Sequence, residues 1–128
     1  MATYNFGVDY PFKAAIDLSS YQYRFVSAGS VAGEVTLSAL GASTLGVLQN
    51  DPVAGEEATV RWFGSTKVMA NAGSAIVNGG LVKSGSDGMA WGYASPTASV
   101  YAAGVAMEAL SSGSGVMIEI FLLPYTRV

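Results

Sequence analysis

The side chains that most often carry out chemistry are nearly missing from this chain. Its 128 residues contain no histidine and no cysteine. The usual general base, the thiolate nucleophile and the commonest zinc and iron ligands are therefore absent, and with them the Ser-His and Cys-His arrangements. Carboxylate chemistry remains. Glu56-Glu57 is the one adjacent acidic pair and could help to hold a hard cation. Asp51 is the only further carboxylate close by, however, and the Asp-x-Asp-x-Asp-Gly spacing of a calcium loop does not occur. The pair reads as the solvated start of a strand. Gly113-Ser-Gly and Asn78-Gly-Gly look like phosphate-loop fragments, but neither stands in the order strand, glycine-rich turn, helix, and no Lys-Ser/Thr pair follows. Both read as turns. The many Ser and Thr hydroxyls lack a neighbouring base and read as structural. Trp62, Trp91, Tyr93 and Tyr101 could line a sugar-stacking face or fill a core; their spacing does not separate the two, and large aromatics mostly fill cores. No catalytic constellation survives, so no enzyme, cofactor or metal site is expected.

Composition points elsewhere. Charged residues make up 12% of the chain and hydrophobic ones 51%. A soluble domain carries about 25% charged residues, so part of this exterior is expected to be covered by other molecules. The net charge of −3, with six Lys and Arg in no cluster, argues against a nucleic-acid partner. The length suits one domain, able to bury roughly two-thirds of the surface its unfolded chain exposes. Without cysteine, redox usage says nothing of the compartment. The first residues lack a basic start followed by an apolar run, so no secretory signal is expected. The longest uncharged span, Gly88 to Met107, is interrupted by Gly92, Pro96 and Gly104, which makes it a poor bilayer helix. A soluble protein with no membrane partner is the expectation.

Short strands separated by glycine-rich turns are the recurrent local pattern. Between Thr44 and Phe63, two strand-like runs, Leu45 to Gln49 and Ala58 to Phe63, flank a connection containing Pro52 and Gly55. Tyr21, Tyr23 and Phe25 alternate with polar residues and predict a strand, as does Glu34 to Leu37. Gly64-Ser65 predicts a turn joining Thr59 to Phe63 with Lys67 to Ala70 in a hairpin. Asn71 to Ser74 and Asn78-Gly79-Gly80 read as loops. Asp87-Gly88, between Leu81-Val82-Lys83 and Met89-Ala90-Trp91, is the strongest hairpin signal. Pro96 to Ser99 interrupts the chain before the last strands, where Val116, Ile118, Ile120 and Leu122 form one apolar face. Glu119 stands on the other face, between Met117 and Phe121, where a carboxylate is at an interface, paired, or solvated on an edge. No amphipathic helix is apparent.

A shift of 58 positions lays Gly46 on Gly104, Val47 on Val105, Gly55 on Gly113, Phe63 on Phe121 and Val60 against Ile118. The shared order of short strand, small-residue connection and longer strand suggests a duplicated strand pair. It also sets Glu119 opposite the place of Arg61, which suggests an Arg61 to Glu119 pair. Residues 1–20 differ from the rest. Tyr4, Phe6, Tyr10 and Phe12 lie among polar residues around Pro11, on no helix face and without strand alternation, so an extended N-terminal arm is expected before a domain spanning 21–128. Its rings either pack on this chain or meet a partner. The sum is an all-β chain: a small β-barrel or sandwich-like domain with Gly-rich turns and an N-terminal arm.

The ordered fragments from Leu45 to Val60 (LGVLQNDPVAGEEATV), with Lys67-Val-Met-Ala, Gly80-Leu-Val-Lys-Ser, Asp87-Gly-Met-Ala and Ala103-Gly-Val-Ala-Met-Glu-Ala, resemble the capsid decoration, or cement, proteins of tailed bacteriophages. The likeness covers about Gly33 to Leu123. It implies a barrel-like domain, made in the host cytoplasm, that joins the outer surface of an icosahedral head as a homotrimer. It further implies that terminal arms clamp the major capsid protein. With the arm and the odd carboxylate together, the candidate interface residues are Tyr4, Phe6, Tyr10, Phe12 and Glu119. A carbohydrate- or receptor-binding module on a virion or cell surface is the alternative.

Overall fold

The computed structural model describes residues 7–93 and 100–127, with side chains through residue 122. These residues form nine strands and no helix: β1 (Gly7–Ala14), β2 (Phe25–Ala28), β3 (Glu34–Leu37), β4 (Gly46–Leu48), β5 (Glu57–Asn71), β6 (Leu81–Ser84), β7 (Ala90–Gly92), β8 (Tyr101–Ala106) and β9 (Ser114–Arg127). The all-β expectation holds. All nine belong to one mixed sheet in the order β1-β3-β2-β4-β5-β7-β6-β8-β9, with two additional pairings, β1 to β5 and β5 to β9. Each additional pairing closes a ring. The first ring is β1-β3-β2-β4-β5 and the second is β5-β7-β6-β8-β9, with β5 common to both.

The two rings have the same topology. In each, the first and third strands are parallel and every other neighbouring pair is antiparallel. The registers agree residue by residue: Val26 opposite Gly46 recurs as Val82 opposite Gly104, and Phe25 opposite Val47 recurs as Leu81 opposite Val105. The hairpin loops agree as well, since the Gly29 N–H donates to the Glu34 carbonyl as the Gly85 N–H donates to that of Met89. The duplicated strand pair is thus part of a duplicated five-stranded unit. One correction follows. Leu48 opposite Val60 corresponds to Ala106 opposite Ile120, so Val60 matches Ile120 instead of Ile118, and Glu119 matches Thr59 instead of Arg61. Each long strand slides by two positions relative to its short partner, which a single sequence shift cannot represent.

Two further corrections concern local signals. Gly64-Ser65 is not a turn, and no hairpin joins Thr59–Phe63 to Lys67–Ala70; both runs lie in the 15-residue β5. Gly64 does adopt a positive φ of 102°, but it uses that freedom to redirect a continuing strand. Just before it, Val8 pairs with Phe63 and Asp9 with Arg61, so Trp62 is the extra residue of a bulge. β5 therefore bends where it passes from one ring to the other. The second correction is the Tyr21 to Phe25 strand, which starts only at Phe25. Tyr23 takes a left-handed φ of 64°, held by hydrogen bonds from its N–H to the Leu48 carbonyl and from the Met69 N–H to its own carbonyl. Glu34–Leu37 and the hairpin around Asp87-Gly88 form as expected.

Pro11 does not interrupt β1. It lies opposite Thr59, whose N–H donates to Asn50 Oδ1 and whose carbonyl accepts from Gln49 N–H, both away from β1. A proline at such a position removes no rung from the ladder. Inside the first ring, Ala14, Leu18, Val26, Val35, Leu48, Ala58 and Val60 form one core, with Phe12 and Tyr21 packed against it. A second cluster fills the other ring, where Val68, Ile118, Ile120 and Leu122 meet Ala70, Ala90, Ala103 and Ala106. Phe25 and Val47, from strands of the first ring, also belong to that cluster, so the outer face of β2 and β4 caps the second ring. The Pro96–Ser99 interruption lies outside the described residues.

Gly46 and Gly104 occupy equivalent places, and a Cβ on either would strike the carbonyl oxygen of the neighbouring long strand, that of Arg61 or of Phe121. Gly46→Ala and Gly104→Ala should each lower stability by about 1–3 kcal/mol, the usual range for overpacking. A reduced urea midpoint at unchanged slope would report it.

Candidate functional site

The chain has no histidine or cysteine, and among the described residues no three metal-ligating side chains gather; the candidate site is a surface. It begins with the clamp that holds β1. Arg61, on the outer side of β5, makes a two-pronged contact with Asp9, Nε to Oδ1 at 2.7 Å and Nη2 to Oδ2 at 3.3 Å, and its Nη1 donates to the Ser65 carbonyl at 3.2 Å. One planar guanidinium thereby ties β1 to β5 and spans the bulge at Trp62. Gly7 lies against this side chain, leaving no room for a Cβ beside Arg61 Cδ. The Arg61 to Glu119 pair suggested by the repeat does not form, because Asp9 occupies the guanidinium.

Held this way, β1 presents Tyr10 and Phe12 on one side, their ring centroids 5.0 Å apart. Phe12 leans on the first core, whereas Tyr10 is 56% exposed. Where β5 bends, Trp62 and Phe63 stand side by side with centroids 5.9 Å apart, and Val8, paired with Phe63, is exposed beside them. Tyr4 and Phe6 lie outside the described residues.

Glu119 is on the second ring. Its backbone N–H donates to Glu108 Oε2 and its carbonyl accepts from Met107 N–H. Its side chain projects from the face of β9 opposite Ile118 and Ile120, between Met117 and Phe121, directly across from Lys67. On that outer face the residue is 1% exposed, and its Oε2 has no hydrogen-bond partner among the described residues. Met117 and Phe121 beside it are 37% and 50% exposed.

The structure thus joins Tyr10 with Phe12 and places Glu119 apart from them. Sequence reasoning missed Asp9, Phe63 and Phe121 as surface features, gave Arg61 a different partner, and set Trp62 in a sugar-stacking group without its neighbour Phe63. For Asp9 and Arg61 no local signal existed, since 52 residues separate them. For Trp62-Phe63 the signal was two adjacent aromatics inside an alternating strand, which requires one of them to face outward. The possible sugar platform is not assembled from all four of its aromatics. Tyr93 is buried with its hydroxyl on the Val100 carbonyl and the Lys83 ammonium over its ring, and the Trp91 indole packs against Gly85. Glu56 closes its own connection by accepting the Val53 N–H, and among the described residues no group of three carboxylates gathers.

A double-ring all-β fold of this kind is found in a component of a phage head. The crystal structure of the head fiber gp8.5 N base in bacteriophage phi29 superposes with a TM-score of 0.68, covering 96% of this chain and 98% of that one at 20% sequence identity. At that identity the likeness establishes the shared fold. No family model matches the chain, and no curated protein does.

A double-mutant cycle on Asp9→Ala and Arg61→Ala should give a coupling of about 1 kcal/mol, the upper end for partly exposed pairs given the two-pronged geometry. Amide exchange should accelerate in β1 selectively. A cycle with no coupling would show the clamp to be energetically idle.

Proposed function

We propose that this protein is a structural component of a virion that binds the outer surface of an icosahedral phage head as a homotrimer and stabilises the capsid lattice. The single observation that supports this most is a fold shared end to end with a phage head fiber base. The residues agree with it: a charge-poor composition, exposed aromatics on β1 and at the bend of β5, and no catalytic constellation in the sequence.

The mechanism is attachment. The major capsid protein is the partner, and the N-terminal residues Tyr4, Phe6, Tyr10 and Phe12 are the anchors offered to it, with Arg61 holding the strand of Tyr10 and Phe12 in place through Asp9. Three copies present three such segments, so contacts that are modest singly combine through effective concentration. A protein that binds the assembled shell and not its separated subunits stabilises the shell by mass action.

Purified protein added to heads that lack it should bind in fixed stoichiometry and raise their resistance to heat. Tyr10→Ala should weaken binding at least about tenfold while changing stability by less than about 1 kcal/mol, because the ring is largely exposed. Failure to bind heads, together with retention on an immobilised glycan, would overturn the proposal in favour of a carbohydrate-binding module.

A further inference from the structure

The duplication repeats single hydrogen bonds as well as strands, and it leaves one pair of backbone groups that the first ring uses and the second does not. Around the start of β2, the Tyr23 N–H donates to the Leu48 carbonyl, the Leu48 N–H to that of Arg24, and the Ser38 N–H to that of Phe25. Around the start of β6 the same three bonds recur: Gly79 to Ala106, Ala106 to Gly80, and Tyr93 to Leu81. Both segments turn on a left-handed residue, Tyr23 at a φ of 64° and Gly79 at 81°. Gly79-Gly80-Leu81 is therefore the counterpart of Tyr23-Arg24-Phe25. The earlier segment is docked. Its Tyr23 carbonyl accepts the Met69 N–H at 2.7 Å and its Phe25 N–H donates to the Gly88 carbonyl at 2.8 Å, so it lies in a slot between β5 and the Asp87-Gly88 hairpin of the second ring. The matching groups on the later segment are the Gly79 carbonyl and the Leu81 N–H. The Leu81 carbonyl is taken by Tyr93, so the N–H of the same residue also points away from β8. Neither group has a hydrogen-bond partner among the described residues. Asn78 and Gly79 are exposed, and no described atom lies within 4 Å of the place a Gly79 Cβ would take.

We propose that Gly79–Leu81 is a main-chain docking point for an extended strand edge of the major capsid protein. The inference rests on the head attachment of the proposed function and adds a contact to it. The docked counterpart specifies the chemistry of the occupant: an N–H for the Gly79 carbonyl and a carbonyl for the Leu81 N–H, which a strand edge presents together. A second copy of this chain has no place for the segment. Ala14 opposite Val35 recurs as Ala70 opposite Ala90, so Lys13 is the counterpart of Met69, and Gly33, with a φ of 83°, is that of Gly88, with 77°. In the first ring Lys13 N–H donates directly to the Gly33 carbonyl, which shuts the slot, and in the second ring Tyr23–Phe25 fills it. The occupant is therefore a different protein.

Head binding by the full-length protein is the test, with amide exchange in the free protein beside it. In the free protein the Leu81 amide should exchange at least about a hundredfold faster than that of Phe25, its bonded counterpart, at every concentration. Gly79→Asn supplies a residue that tolerates left-handed φ and sets a side chain in the docking place. It should keep the fold and weaken binding to heads at least about tenfold. Gly55→Asn, at an equally open glycine with a φ of 87° in the first ring, is the control and should bind like wild type. Undiminished binding by Gly79→Asn, equal losses in the two variants, or a Leu81 amide already slow in the free protein would overturn the proposal. Slowing that grows with concentration would place a second copy there and overturn it as well. If wild type itself fails to bind heads, attachment falls and this contact with it; a wild type that binds beside an unimpaired Gly79→Asn removes this contact alone.

Discussion

β5 is hydrogen-bonded to β1 and β4 along its first half and to β7 and β9 along its second, and nearly everything else in the molecule follows from one strand serving two closed rings. A strand cannot run straight through both. It bends at the Trp62 bulge and at Gly64, and the Arg61 guanidinium spans the bend from Asp9 to the Ser65 carbonyl. The bend turns Trp62 and Phe63 outward, so the exposed aromatics at the junction are a geometric consequence of the shared strand.

Closure has a second consequence. Rings leave little exposed edge for aggregation, and what remains at the start of β1 is blunted by Pro11, whose missing N–H removes no rung. Five strands enclose a narrow interior, which here is filled by alanine and valine with a few larger chains. Gly46 and Gly104 let the short strands approach the long ones at the same point in each ring. With two small cores, apolar residues are left over on the outside of both rings, among them Tyr10, Ile16 and Val31 in the first, Trp62 and Phe63 at the junction, and Met117 and Phe121 in the second.

The first ring and the second differ in what they show to the outside. Around β1 the outer ladder carries the Asp9–Arg61 ion pair, and Tyr10 of that strand is exposed while Phe12 packs on the core. On β9 the outer ladder is apolar around a buried carboxylate. A duplicated unit can retain its interior pattern while its exterior changes, and that is the pattern here.

Period-two alternation and turn chemistry are local, and the sequence determined what depends on them. These were the all-β class, the strand Glu34–Leu37, the Asp87-Gly88 hairpin, the inward face of β9 and the kinship of β4–β5 with β8–β9. Ring closure, register and pairing partners join residues distant along the chain, and only the tertiary structure decided them. Positive φ at Gly64 suits a turn or a bend equally, and the neighbours on either side of β5 made it a bend. Arg61 could have met any carboxylate, and β1 lying across β5 made it Asp9 in place of Glu119. The slide of two residues between short and long strands is set by the length of the connections and by closure, which no single shift of the sequence can reveal.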